Sequence, residues 1–241
     1  MQASRIAAAC VLAITLSTAS HAQTAGSIYV TTGWFHFAPQ DSSTPLKITS
    51  VGGNPVNITV PNTGAGISSS DTIGFTAGYF FTGHIAAEFE IGVPPDFDVS
   101  GTGSFARFGK VGTVKQWSPT LLFKYFFLEP QARFRPYLGI GVTRTSFSDG
   151  QITNATFEST VLGGPTTVEA STVWAPVFNV GFTYAFSEHW FAGFSVSYIP
   201  MSTTGTFTTQ SQTPIGTLTR RAESKLTLDP IVTYLRVGYR F

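Results

Sequence analysis

TYLRVGYRF, Thr233 to Phe241, alternates oily residues with small or polar ones up to the last position of the chain. Counting back by twos gives Phe241, Tyr239, Val237, Leu235 and Thr233. The residues between are Arg240, Gly238, Arg236 and Tyr234. One side is apolar and ends in aromatics, while the other carries two guanidinium groups. That is the period of a β-strand with two unlike faces, and what each face meets decides the fold.

Seven further stretches alternate in the same way. With the terminal one, the strands are expected near Ser27–Phe37, Thr72–Phe81, Ile85–Val93, Pro119–Phe127, Arg135–Val142, Val177–Phe186, Trp190–Ile199 and Ile231–Phe241. The connections alternate in length. Those at 82–84, 128–134 and 187–189 are short; those at 38–71, 95–118, 143–176 and 200–230 are long and rich in Ser, Thr, Gly and Pro. This asymmetry predicts an all-β, eight-stranded, antiparallel up-and-down barrel, with short turns at one end and long loops at the other.

The two faces sort cleanly. Ile73, Phe75, Tyr79, Phe89, Phe123, Tyr125, Ile140, Phe178, Phe194 and Leu235 share one face with similar residues on all eight strands. The other holds glycines such as Gly33, Gly74, Gly78, Gly139, Gly181 and Gly238, and the charges Glu88, Glu90, Lys124, Arg236 and Arg240. An eight-stranded interior only just admits side chains, so the bulky set does not fit inside. It is expected to point outward into lipid, with Phe241 and its neighbours in an interfacial aromatic girdle. Pro39, Pro94, Pro119, Pro176, Pro200 and Pro230 stand at a common height, each roughly ten to twelve residues from the short-turn end of its strand, where a tilted membrane strand of about 9–11 residues would end. They mark the outer rim. Pro136 stands apart near the opposite end.

Composition agrees. Phe occurs 22 times and Gly 24 times, while charged residues make up 11%, which favours strands and turns over helices. A formal net charge of +1 provides no basic surface for a nucleic-acid partner. Residues 1–22 combine a basic start, the apolar run IAAACVLAITL and a Ser20-His21-Ala22 ending, the pattern of a cleaved secretory signal peptide. Residues 23–241 then form the barrel domain. A lipoprotein cysteine at Cys10 is disfavoured by Ala7 and by the short apolar stretch before it. The mature chain lacks cysteine and hence disulfides. It also lacks an apolar run long enough for a membrane helix, whereas a closed barrel satisfies its backbone internally and can span.

VKQWSPTLLFKYFF (114–127), RFRPYLGIGVTRTSF (133–147), Trp174 sixteen residues before Trp190, and the terminal VGYRF together resemble the OmpW family of small outer-membrane proteins, over essentially the whole mature chain. The resemblance implies a Gram-negative outer-membrane location among outer-membrane lipids, and passive passage of small hydrophobic molecules, by lateral exit through the wall in one version. The final Phe241 looks like the signal read by the outer-membrane assembly machinery. A monomer is expected. The chain departs from the family pattern at Ser118-Pro119, where two prolines are common. It departs again with Glu90 and Ser197 on inward faces, which weighs against a purely hydrophobic conduit.

Glu88, Glu90, Lys124, Arg236 and Arg240 are expected to form a charge network in the lumen, since ions in a narrow interior need partners. Both a polar gate and a satisfied plug fit this. Phe35, Phe37, Leu122, Phe126, Tyr137, Ser197 and Tyr234, with loop aromatics Phe97 and Phe105, are expected to line a vestibule for hydrophobic solutes. The stretch TGSFARFGKVGTVKQ (102–116) is assigned a short amphipathic helix in an outer loop.

No cofactor or metal spacing stands out and no enzyme is expected. His36 with a loop Ser or Asp is the sole catalytic alternative. Glu88 and Glu90 are neighbours on one strand face and cannot flank a glycosidic bond. A non-conducting barrel for envelope integrity or surface interaction is the alternative function. A secreted lipocalin-like carrier would need a polar outer wall.

Overall fold

The structure is a computed structural model and describes residues 25–214 and 216–241. The signal-peptide assignment, with Cys10 and His21, lies outside those residues.

Eight antiparallel strands close into a barrel: β1 (Ile28–Ala38), β2 (Ser70–Phe80), β3 (Ile85–Gly92), β4 (Thr120–Phe126), β5 (Phe134–Ile152), β6 (Val173–Ala185), β7 (Trp190–Tyr198) and β8 (Ile231–Arg240). Each pairs with its chain neighbours, and β1 closes the ring on β8 with Tyr29 opposite Arg240. All eight expected strands are present. Among the described residues no helix is long and apolar enough to cross a membrane, so the barrel wall is the spanning element.

The wall confirms the assignment of faces. Ile73 is 58% exposed and Ile140 59%, whereas Glu88 is 0% and Lys124 1% exposed. Burying charge while exposing this much oil is unstable in water and is what a lipid-facing wall requires. At the lower end the turns are tied by side chains. Thr82 Oγ1 accepts the backbone N–H groups of His84 and Ile85 at 3.1 and 3.0 Å, and Ser187 Oγ accepts that of Trp190 at 3.0 Å. Five of the six rim prolines lie just beyond a strand end. Pro176 instead remains inside β6, which continues to Val173, with Arg144 opposite Trp174.

The long loops correct the sequence-based expectation. They are not irregular but build further sheet above the rim. The upper part of β5 pairs with Lys110–Trp117, which pairs with Asp96–Gly103 and then Thr63–Ile67. A separate sheet orders Thr166–Ala170, Ser202–Thr213, Gly216–Thr227, Lys47–Val51 and Asn54–Thr59. The Thr-rich run 202–213 reads as a polar loop, yet its β-branched residues suit a strand and pair residue for residue with 216–227.

The helix assigned to 102–116 is absent. Gly103 (φ 61°) and Gly109 (φ 58°) break that stretch into a single 3₁₀ turn, Ala106–Phe108, followed by strand. A short helix forms instead at 155–162. Asn154 caps its start by accepting the Phe157 N–H at 2.9 Å, and Gly163 (φ 82°) ends it in the left-handed region.

Candidate functional site

Two interiors are stacked along the axis, one polar and closed inside the barrel, the other apolar and open above it. The lower one is built on Glu88. Arg236 Nη1 donates to Glu88 Oε1 at 2.5 Å, Lys124 Nζ donates to the same oxygen, and Tyr29 OH donates to Oε2 at 2.5 Å. Lys124 also reaches Glu90 Oε1 at 3.4 Å, and Arg236 Nη2 donates to Tyr137 OH at 2.9 Å. Two carboxyl groups and two cationic side chains thus face each other. The register explains the meeting. Glu88 lies opposite Leu122 on β4, two residues before Lys124, and Arg236 reaches across from β8 over Gly193 and the Tyr137 and Tyr234 rings. Buried ions of this kind are tolerable only when each finds partners, and this cluster supplies them.

Of the five expected network residues, four come together and Arg240 does not. It lies lower, its guanidinium over the Phe191 ring at 5.7 Å. There Tyr29, Phe80, Ala86, Phe126, Tyr137 and Phe191 pack into a cluster around the axis. The recess among Tyr29, Phe80, Phe126 and Phe191 has no room for a water molecule. Arg135, 1% exposed, ties two neighbouring turns at the lower end by donating to Gly83 O at 2.7 Å and Leu128 O at 3.3 Å.

Phe126 and Tyr137 therefore stand in the lower packing and not in the upper vestibule. Phe126 ends β4, which runs down from the rim, and Tyr137 lies near the start of β5, which runs up from the same short turn, so both stand near the short-turn end. Tyr29, Phe80, Phe191 and Arg135 were not among the sequence candidates. The Tyr29 and Phe191 rings fit inside because Gly78 and Gly238 leave room beside them.

Above the charges, Thr31 Oγ1 contacts Thr76 Oγ1 at 2.5 Å and Tyr234 OH at 3.0 Å, and the Tyr234 ring stacks on Phe35 at 3.9 Å. Ser197 is held in the wall by Asn179 Nδ2 at 2.8 Å. Phe35, Tyr234 and Leu122 pack with Val177, Met201 and Leu228 into an apolar floor.

On that floor opens an apolar cavity, partly open to solvent. Phe37, Ile67, Phe97, Phe147, Met201 and Leu226 are among its walls, and no Asp, Glu, Lys, Arg or His side chain lines it. Phe37, with the loop residues Phe97 and Phe105, lines this space, whereas Phe35, Leu122, Ser197 and Tyr234 lie outside its lining. Its remaining walls come from the upper strands and the 155–162 helix.

At the rim, His36 Nδ1 lies 2.8 Å from Asp71 Oδ1, which also accepts from Trp34 Nε1 at 2.9 Å. These side chains face the lipid boundary. Among the described residues no three His, Cys, Asp or Glu side chains cluster as a metal site.

The sequence model described as the OmpW family matches residues 24–241. The chain belongs to the OmpW family. Among curated OmpW-family relatives, outer membrane protein W of Vibrio cholerae is 29% identical over 180 residues, covering 73% of this chain and 76% of that protein. Outer membrane protein AlkL of Ectopseudomonas oleovorans is 29% identical over 209 residues, covering 86% and 80%. The crystal structure of OprG from Pseudomonas aeruginosa superposes with a TM-score of 0.77 at 25% identity, over 91% of this chain and 99% of that one. This OmpW-family barrel accordingly resides in the bacterial outer membrane, its oily wall against lipid.

Proposed function

We propose that this OmpW-family barrel binds small, mainly hydrophobic solutes in the cavity above the rim and passes them onward passively, without catalysis and without using the barrel axis. The observation that carries this reading is the stacking of an uncharged apolar chamber on a filled, charge-locked barrel. An apolar solute gains by leaving water for the chamber. It would lose on crossing the Glu88–Lys124–Arg236 cluster, where polar groups are already satisfied. Onward movement therefore runs sideways between the upper strands toward the membrane. The protein acts as a monomer, and Phe241 serves as the mark read by the assembly machinery.

The filled lumen also favours a second reading, a non-conducting barrel whose extracellular sheets serve envelope integrity or surface interaction. Uptake separates the two. Gly205 lines the chamber, and a Cβ there would meet its nearest neighbour, Leu226 Cδ1, at 3.5 Å, an ordinary contact. Gly205→Phe therefore fills the space without a backbone clash. In cells carrying this barrel, uptake of a labelled apolar solute should fall at least several-fold with Gly205→Phe. Equal uptake by wild type, Gly205→Phe and a strain lacking the protein, together with reduced surface adhesion in that strain, would favour the second reading.

A further inference from the structure

Beside the main chamber lies a second recess, in the upper part of the extracellular sheets. Leu46, Phe105 and Leu162 line both spaces and form the partition between them. The two differ in one respect. The main chamber has no ionised lining residue, whereas the recess has a single one, Arg220, set opposite Thr209 across the strand pair.

Arg220 donates from Nη2 to the carbonyls of Val161 and Leu162, at the end of the short helix. Among the described residues it forms no ion pair with a carboxylate, and its Nη1 and Nε make no further hydrogen bond. A guanidinium half engaged by carbonyls keeps its positive charge and an unused donor edge. Its planar fork matches a carboxylate.

We infer that the solutes this chamber prefers are amphipathic monoanions: a carboxylate held at Arg220, with an apolar tail passing the Leu46–Phe105–Leu162 partition into the uncharged space. The inference rests on the chamber reading proposed above and adds the class of head group. One cation with one free edge suits a single carboxylate better than a dianion. A tail without a polar end fits the chamber but leaves the guanidinium edge to water.

Arg220 also caps the helix end, a purely structural role, so the test must separate charge from capping. Decanoate and methyl decanoate share a tail and differ in charge at neutral pH. Their initial uptake rates are compared in cells carrying the full protein, its Arg220→Gln and Arg220→Lys variants, or none, with heat-modified gel migration confirming a folded barrel in each. Arg220→Gln is expected to lower decanoate uptake about tenfold, as loss of one charge-assisted contact implies. Methyl decanoate uptake should stay within about twofold, and Arg220→Lys should restore part of the decanoate rate. Equal losses for both solutes, or unchanged decanoate uptake in Arg220→Gln, would overturn the inference while leaving the chamber reading in place. If the wild type passes methyl decanoate no faster than cells lacking the protein, the chamber reading falls, and this inference with it.

Discussion

Gly78 lies against the ring of Tyr29: a Cβ built on Gly78 would stand 2.0 Å from Tyr29 Cζ. The two residues are opposite each other on β1 and β2, and Tyr29 uses the space to reach Glu88. Gly78→Ala should therefore destabilise the barrel by about 1–3 kcal/mol, the usual range for overpacking. Urea unfolding in lipid vesicles checks this. Adding Tyr29→Ala should remove most of the extra loss caused by Gly78→Ala, because the clash then has no partner.

Arg236 and Lys124 share one oxygen of Glu88. Arg236→Met takes one of the two cations from Glu88, and breaking a buried pair from one side costs about 3–5 kcal/mol. The double variant Arg236→Met with Glu88→Gln removes both ions of that pair and should unfold at a higher urea concentration than Arg236→Met alone. A double variant weaker than both single ones would show that the Arg236–Glu88 pair does not govern the cluster.

Glu90 meets the cluster on its upper side, at Lys124 (3.4 Å) and beside Glu88. Removing it leaves the aromatic packing and the Arg135 bridge beneath untouched. In planar bilayers the wild type is expected to conduct little, and Glu90→Leu should conduct no more than it does. The pair Phe126→Ala and Arg135→Ala, which empties the lower mouth, should raise the conductance. The reverse pattern would place the seal at Glu90.

Phe241 is 71% exposed, packs edge-on against Tyr239 at 5.1 Å and donates its N–H to Ile28 O at 3.0 Å. Its ring adds little to the barrel itself. Phe241→Ala should leave stability in vesicles within about 0.5 kcal/mol, as expected for a surface change, yet lower the amount assembled in cells. Normal assembly of Phe241→Ala in cells would remove its role as a recognition mark.

The barrel was legible because its period-2 faces repeat on eight strands and the register follows from short turns. The spacing of Glu88 with Glu90 and of Arg236 with Arg240 put ions inside. Sequence alone could not say that Arg240 stops short of the network, since that depends on the stagger between β8 and β3. Tyr29 and Phe191 are not legible as lumen residues because each ring occupies space left by a glycine on the next strand, Gly78 and Gly238, and that pairing requires the register. The chamber was half visible. Phe37, Phe97 and Phe105 were read as a vestibule, but its upper walls come from Thr-rich runs that resemble loop. Arg220, in the basic stretch TRRAESK, gave no signal until the 155–162 helix packed beside it.

The central claim is that an apolar solute sits above the sealed lumen and not within it. In a deuterated, methyl-protonated sample held in nanodiscs, intermolecular nuclear Overhauser effects from a decane probe to assigned methyl groups test this directly. Cross-peaks to Ile67, Met201 and Leu226, which line the chamber, with none to Ala86, buried in the lower cluster, are the predicted result. Cross-peaks to Ala86, or none to the three chamber methyl-bearing residues, would contradict it.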